Sequence, residues 1–500
     1  MNETKHSFDG TKVPLRASGK NNNYLCLSKS KFAGKKHKVS ENKLFSVFAS
    51  LSGVEKRECA NFLRSPYFNQ RSDVVALWHI LLDAKGAPPD ARAAFQQLYA
   101  GEPFDDARWR HVQSFLLLQI ENFLAQRALE QVPLLYDLHM APAYREKGLA
   151  KPLNNVLQRA AGKLSQLPRD QEFYYWEYRL EWEKYAATES DTRSRDNNLA
   201  AVSRSLDIFL LASKLRMACL MESHRAVYNT AYDLSFLPAL VAYLEHNALR
   251  EIPIIALYYH CYRALTGGQE ADFRAFRRQL ERQGNQLPAG ERRTFLLLAV
   301  NYCIRRLNTG ATAYIREAFD LYRIGLDSAA LLENGRLGRF AYKNIVALGL
   351  RLEEFAWVED FIHRYEPYLE PKYRAANRDY NLARLYFAQK DYRRAMPLLA
   401  QVDESDLLLN LDSRVMLLKM YYESGEWDAL EALLSSFKVL LLRKKKVIGY
   451  HQSHYLNTLR YIRKLTRLNQ NDKQAVAAFR AEVSQSKAIN EKEWLLEQLV

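Results

Sequence analysis

From about Glu41 onward, apolar residues recur at the three- and four-residue spacing of amphipathic helices, and short polar connections separate one run from the next. The stretch NFLRSPYFNQRSDVVALWHIL, Asn61 to Leu81, stops one helix and starts another within about ten residues. Pro66 disfavours helical geometry at Ser65 and lacks an amide donor of its own, so the helix ending near Arg64 cannot continue. Ser72 is placed to cap the next helix, whose apolar positions are Val74, Val75, Leu77, Trp78 and Leu81. Tyr67 and Phe68, two aromatics in a polar connection, are expected to fold back as plugs between the two helices; the alternative is a surface pair that docks a partner.

Further helices are expected over about 92–99, 108–130 and 151–165. The segment FYYWEYRLEWEKYAA, Phe173 to Ala187, sets Tyr175, Tyr178, Trp182 and Tyr185 on one face. Such a stripe reads as core against neighbouring helices, or else as a groove for a peptide helix.

Between about Ile252 and Leu440 one pattern recurs: a helix, a short polar turn, an aromatic opening a second helix, then small and apolar residues. NLARLYFAQKDYRRAMPLLAQV aligns with VMLLKMYYESGEWDALEALLSSF at an offset of 35. Tyr386 matches Tyr421, Lys390 matches Gly425, Tyr392 matches Trp427, Ala395 matches Leu430, and Leu399 matches Leu434. Trp357 lies another 35 residues upstream of Tyr392, and two less regular units before it open on Tyr314 and Phe273. A unit of this size cannot bury its own apolar faces, so neighbours must stack. Trp357, Tyr386, Tyr392, Ala395, Tyr421 and Trp427 are the expected repeat-packing residues.

NLARLYFAQKDYRRAMPLL resembles a tetratricopeptide repeat, with Ala383, Tyr386, Tyr392, Ala395 and Leu399 at the small and aromatic positions. It departs from the pattern where Lys390 replaces a turn glycine and where Leu418 and Leu430 replace small residues. The resemblance implies an all-α chain built as a tetratricopeptide-like α-solenoid of stacked antiparallel hairpins, with a groove that binds a peptide or another protein. It also implies that Asn381, Arg384, Arg414 and Lys419 are the right residue types to hold a carboxylate. The N-terminal helical half resembles uncharacterised bacterial helical proteins, which implies no activity.

Composition agrees with helices. Gly (19) and Pro (15) are scarce, and hydrophobic residues at 48% are too many for a disordered chain. The formal charge of +15 is local rather than general. Residues 1–40 hold nine Lys/Arg against two acids, in a polar stretch without helical period that reads as a disordered basic tail. Between Ala432 and Asn471 no acid occurs, while Lys438, Arg443, Lys444, Lys445, Lys446, Arg460, Arg463, Lys464 and Arg467 do. Arg460, Arg463, Lys464 and Arg467 stack on one helix face, where mutual repulsion would be relieved by a bound anion. Arg443 to Lys446 and that stripe are the candidate anion- or partner-binding residues, and a nucleic-acid-associated protein is the alternative they support.

Chemistry is hard to find. There is no phosphate-cradling GxxxxGK[ST], no HExxH and no GxSxG. His451 and His454 could meet on a helix face but lack a third ligand. Glu353–Glu354 and Asp105–Asp106 fall in turns or helix starts, where acids favour the helix dipole. Five cysteines without a CxxC suggest neither a zinc site nor a disulfide framework; Cys219, Cys261 and Cys303, 42 residues apart, read as buried thiols at equivalent positions. No secretory signal or membrane span is evident, so a cytoplasmic location is expected. The expectation is a non-enzymatic scaffold or adaptor without cofactor or metal, binding a protein or peptide. It comprises a tail (1–40), an N-terminal helical region (41–250), repeats (251–440) and a helical cap with the basic stripe (441–500).

Overall fold

The computed structural model describes residues 42–84, 88–132, 134–188, 197–228, 230–400, 407–444, 451–486 and 489–499. The basic tail, Cys26, Lys445 and Lys446 lie outside the described residues, as does the side chain of His451. Among the described residues are twenty-three α-helices and one minimal β-hairpin, Leu332–Glu333 with Arg336–Leu337. None of these helices is long and apolar enough to cross a membrane. Two compact units divide between Ser213 and Lys214.

In the unit ending at Ser213, side-chain caps set several helix starts. Ser52 and Glu55 form a reciprocal capping box at Gly53–Arg64, and Asp90 and Asp105 accept the first amides of Ala91–Leu98 and Asp106–Glu130. These helices close over Phe48, Trp78, Phe95 and Val112, all buried. The turn at Pro66 differs from expectation. Asn69 rather than Ser72 organises it, donating to the Leu63 and Arg71 carbonyls (2.8 and 3.0 Å) and accepting from the Arg71 amide, and Ser72–Asp83 starts without a side-chain cap. Nor do both aromatics plug the helices: Phe68 stacks on Phe62 at 4.2 Å, but Tyr67 is 88% exposed. Phe68 itself stays 38% exposed, held between Phe62 and Tyr67.

The aromatic helix Gln171–Thr188 is also rotated from expectation. Phe173, Tyr174, Trp176, Leu180 and Glu183 are buried, whereas Trp182 is exposed and Tyr175, Tyr178 and Tyr185 are half-buried. On that buried side Glu183 accepts from the half-exposed Arg145 at 2.7 Å.

In the unit beginning at Lys214, consecutive helices pair: Pro253–Gly267 with Glu270–Gln283, Ala289–Leu307 with Tyr314–Asp327, Arg339–Arg351 with Phe355–Tyr365, Arg374–Ala388 with Tyr392–Ala400, and Leu407–Ser424 with Trp427–Arg443. One geometry closes four of the turns. An amide five residues on bonds back to a last-turn carbonyl, Ala311 to Arg306, Glu354 to Gly349, Asp391 to Tyr386 and Glu426 to Tyr421. The residue before each amide is left-handed: Gly310, Glu353, Lys390 and Gly425. Lys390 at φ 60° thus occupies the conformation of its aligned Gly425 at φ 73°. Ala395, Leu399, Leu430 and Leu434 are buried, as is Tyr386.

The opening aromatics do not behave alike. Phe273 and Tyr314 are buried, Trp357 stacks on Phe361 (5.3 Å) but stays half-open, and Tyr392 reaches Glu423. Trp427 departs furthest: it is 54% exposed, with an edge contact to Tyr422. The following helix, His451–Thr466, joins Trp427–Arg443 through a core of Leu430, Leu434, Phe437, Leu441, Leu459 and Ile462, leaving the first-turn indole at the rim. Tyr421 packs on the edge of that core.

Candidate functional site

The polar groups of the Lys214–Val500 unit converge on one recess. Helix Arg339–Arg351 supplies Lys343, and Arg374–Ala388 supplies Tyr380 and Arg384, one turn apart. Leu407–Ser424 supplies Asp412, Lys419 and Glu423, whose seven- and four-residue spacing sets them on one face. Tyr455 comes from His451–Thr466, and Glu491 stands at the start of Lys492–Glu497.

Asp412 is the hub. One carboxylate oxygen accepts from Lys343 Nζ at 2.5 Å and the other from the Tyr455 hydroxyl at 2.7 Å. Burial works to lower the Lys343 pKa, but Asp412 beside it outweighs burial and raises it, so the ammonium stays charged. Burial, then Asp412, pushes the Tyr455 phenol far up, so it remains a donor. Lys419 pairs with Glu491 at 2.7 Å and lies over the Phe387 and Trp494 rings. The Lys419 charge holds the Glu491 carboxyl below its ordinary range. Glu423 gathers Lys390 (2.6 Å), the Trp494 indole N–H (2.7 Å) and Tyr392; burial would raise its pKa, and these donors together lower it.

Lys343 and Glu491 keep 34% and 38% of their side-chain surface open, so the cluster reaches solvent. Glu491 adopts a left-handed φ of 57°, a strained conformation for a side-chain-bearing residue, to reach Lys419. Arg384 differs from its neighbours. Its guanidinium donates to the Lys343 carbonyl (3.2 Å) and contacts the Asn381 amide oxygen (3.5 Å), and among the described residues no carboxylate pairs with it.

The residues implied by the tetratricopeptide resemblance therefore separate. Arg384 and Lys419 lie in the recess. Asn381 is fully buried beneath it, donating to the Asn377 carbonyl, and Arg414 bonds Asn410 on another face of its helix. Sequence reading missed Lys343, Asp412, Tyr455 and Glu491. The available signal was Asp412 and Lys419, seven residues apart, interrupting the apolar run LLLNLDSRVMLLKMYY.

The basic stripe is partly neutralised from within: two carboxylates, Glu431 and Glu482, stand against its four cations. Arg463 pairs with Glu431 at 2.6 Å, while Lys464 and Arg460 share Glu482. Those acids come from other helices, so counting charge along one window could not reveal them. Arg467, Arg443 and Lys444 are exposed. Burial lowers the His454 pKa, and no group of three His, Cys, Asp or Glu suited to a metal occurs among the described residues. Cys219, Cys261 and Cys303 are all buried; burial raises Cys219 and Cys303 well above the ordinary thiol range and pushes Cys59 up to about 12, which suppresses thiolate chemistry.

At the centre of the recess, Asp412 is thus bonded on both carboxylate oxygens. No family model, curated protein or solved structure matches the chain.

Proposed function

We propose that this chain is a non-enzymatic adaptor whose C-terminal helix pairs stack as a tetratricopeptide-like α-solenoid and whose recess around Arg384 binds an acidic peptide segment of a protein partner. The turn geometry repeated at Gly310, Glu353, Lys390 and Gly425 supports the stacking. One observation carries the binding reading: Arg384 is a cation held in a recess whose other charged groups are paired, and it has no carboxylate of its own. A guanidinium presents paired N–H donors to a carboxylate, and partial desolvation strengthens that bond.

The test is capture of partners from native lysate, with and without nuclease, by wild-type, Arg384→Glu and Arg463→Glu chains. The reading expects a stoichiometric protein that the wild type and Arg463→Glu retain and Arg384→Glu loses. Unchanged retention by Arg384→Glu overturns it. Binding abolished by nuclease or by Arg463→Glu alone moves the function to nucleic acid and the basic stripe.

A further inference from the structure

Glu491 is held between two anchors that do not involve its own side chain. Before it, the Asn490 amide donates to the Thr458 hydroxyl at 3.1 Å. After it, the Trp494 indole donates to Glu423 at 2.7 Å, and Trp494, Leu495 and Leu499 are buried. Between the anchors the Glu491 backbone turns left-handed, with φ 57° and ψ 34°. Glycine makes that turn without strain, so the conformation by itself does not call for a glutamate. The carboxylate is what distinguishes the residue.

That carboxylate rests on Lys419 at 2.7 Å. The Lys419 charge outweighs burial in keeping it ionised; Arg384 adds to this from a distance, while Asp412 opposes it. Two cations therefore face one carboxylate of the chain's own. The cations are the fixed members: Lys419 is only 13% open and lies over two rings, and the half-buried Arg384 is tied to the Lys343 carbonyl at 3.2 Å. Glu491, 38% open, is the outer one.

We propose that Glu491 is an internal competitor for the recess: its carboxylate holds the place of the partner's acidic side chain on Lys419 and Arg384, and turns outward when that side chain arrives. Only the side chain moves, because Asn490 and Trp494 keep the backbone in place. This regulation, which rests on the reading of Arg384 given above, also sets what can enter. A tethered carboxylate competes at a high effective concentration, so a lone carboxylate in solution does not displace it. A segment with adjacent acidic residues does, since it engages the Arg384 guanidinium and Lys419 together.

The test is fluorescence anisotropy of a fluorescein-labelled, C-terminally amidated tetraglutamate with the full chain at physiological salt. Glu491→Gln keeps the shape of the side chain and removes its charge, and should bind the probe at least about tenfold more tightly than wild type. Glu491→Gly, which accepts the left-handed turn, should show the same gain. Arg384→Gln should weaken binding to wild type and abolish the gain in both variants, which places the gain in the recess rather than on basic surface elsewhere. Equal affinity of wild type and both Glu491 variants, with Arg384→Gln still weakening binding, overturns the competitor and leaves the recess reading standing. A gain that survives Arg384→Gln overturns the competitor as a general charge effect. Loss of the helical circular dichroism in both Glu491 variants also overturns it, since the residue then serves the fold. Binding indifferent to Arg384 in every chain overturns the recess reading and the competitor with it.

Discussion

Gly349 offers a test in which two known effects oppose each other. It lies within helix Arg339–Arg351, where alanine in place of glycine ordinarily gains about 1 kcal/mol of helix propensity. A Cβ built there would stand 2.4 Å from Val358 Cγ2 and 3.2 Å from Phe319 Cε2. Carbon atoms prefer about 3.5–4 Å, so Val358 would have to retreat by roughly an ångström. It has nowhere to go: Val358 is 0% and Phe319 1% exposed. Overpacking of this kind costs about 1–3 kcal/mol, and so close an approach draws on the upper part of that range. Gly349→Ala should therefore destabilise by about 1–2 kcal/mol net, read as a lower urea midpoint and faster amide exchange in Arg339–Arg351 and Phe355–Tyr365. Gly162 is the counterpart. It too is inside a helix, Ala150–Leu164, but nothing lies within 4 Å of the added carbon, so Gly162→Ala should stabilise its unit by roughly 0.5–1 kcal/mol. Adding Val358→Ala to Gly349→Ala should recover about 1 kcal/mol relative to the sum of the single changes. A Gly349→Ala chain as stable as wild type, or strict additivity in the double variant, would refute the close approach of these two helices.

Asp137, buried against Arg159 (2.6 Å) and Lys163 (2.8 Å), has a carboxyl that burial alone would raise but the two cations hold below its ordinary range. Its folded pKa lies below its unfolded one, so its contribution is complete above about pH 4 and fades as pH falls through the lower folded value. Asp137→Asn should cost about 1.5–3 kcal/mol near neutrality, and its gap from wild type in urea titrations should narrow below about pH 4; a gap independent of pH rejects the assignment. Trp427→Ala, at a half-exposed rim position, should cost less than about 1 kcal/mol, whereas Phe437→Ala, at 0% exposure, should cost about 3–5 kcal/mol. Equal losses in thermal melts would show that the last helix pair is packed differently.

What the chain reveals to a reader of its sequence divides by the range of the physics. Local periodicity placed the helices, because an apolar stripe must be buried whatever covers it. The offset of 35 was also legible, down to Lys390 standing where a glycine would be easier, since a helix end is closed by residues within a single turn of chain. The side of a helix that turns inward was legible only when apolar residues kept to one side. In Gln171–Thr188 aromatics occur all round, and which of them turn inward depends on neighbours distant in sequence, Arg145 beside Glu183 among them. The recess was hidden for the same reason. Lys343, Asp412, Tyr455 and Glu491 are separated by 36 to 69 residues, and each resembles an ordinary surface residue until four elements bring them together. The basic stripe was legible as a window without acids, but the partial balance that Glu431 and Glu482 bring across helix boundaries was not. Charge in a helical array is thus balanced between neighbouring elements rather than along them. Arg384 stands apart from that balance, bonding a carbonyl and an amide oxygen while its charge acts on Glu491 from a distance.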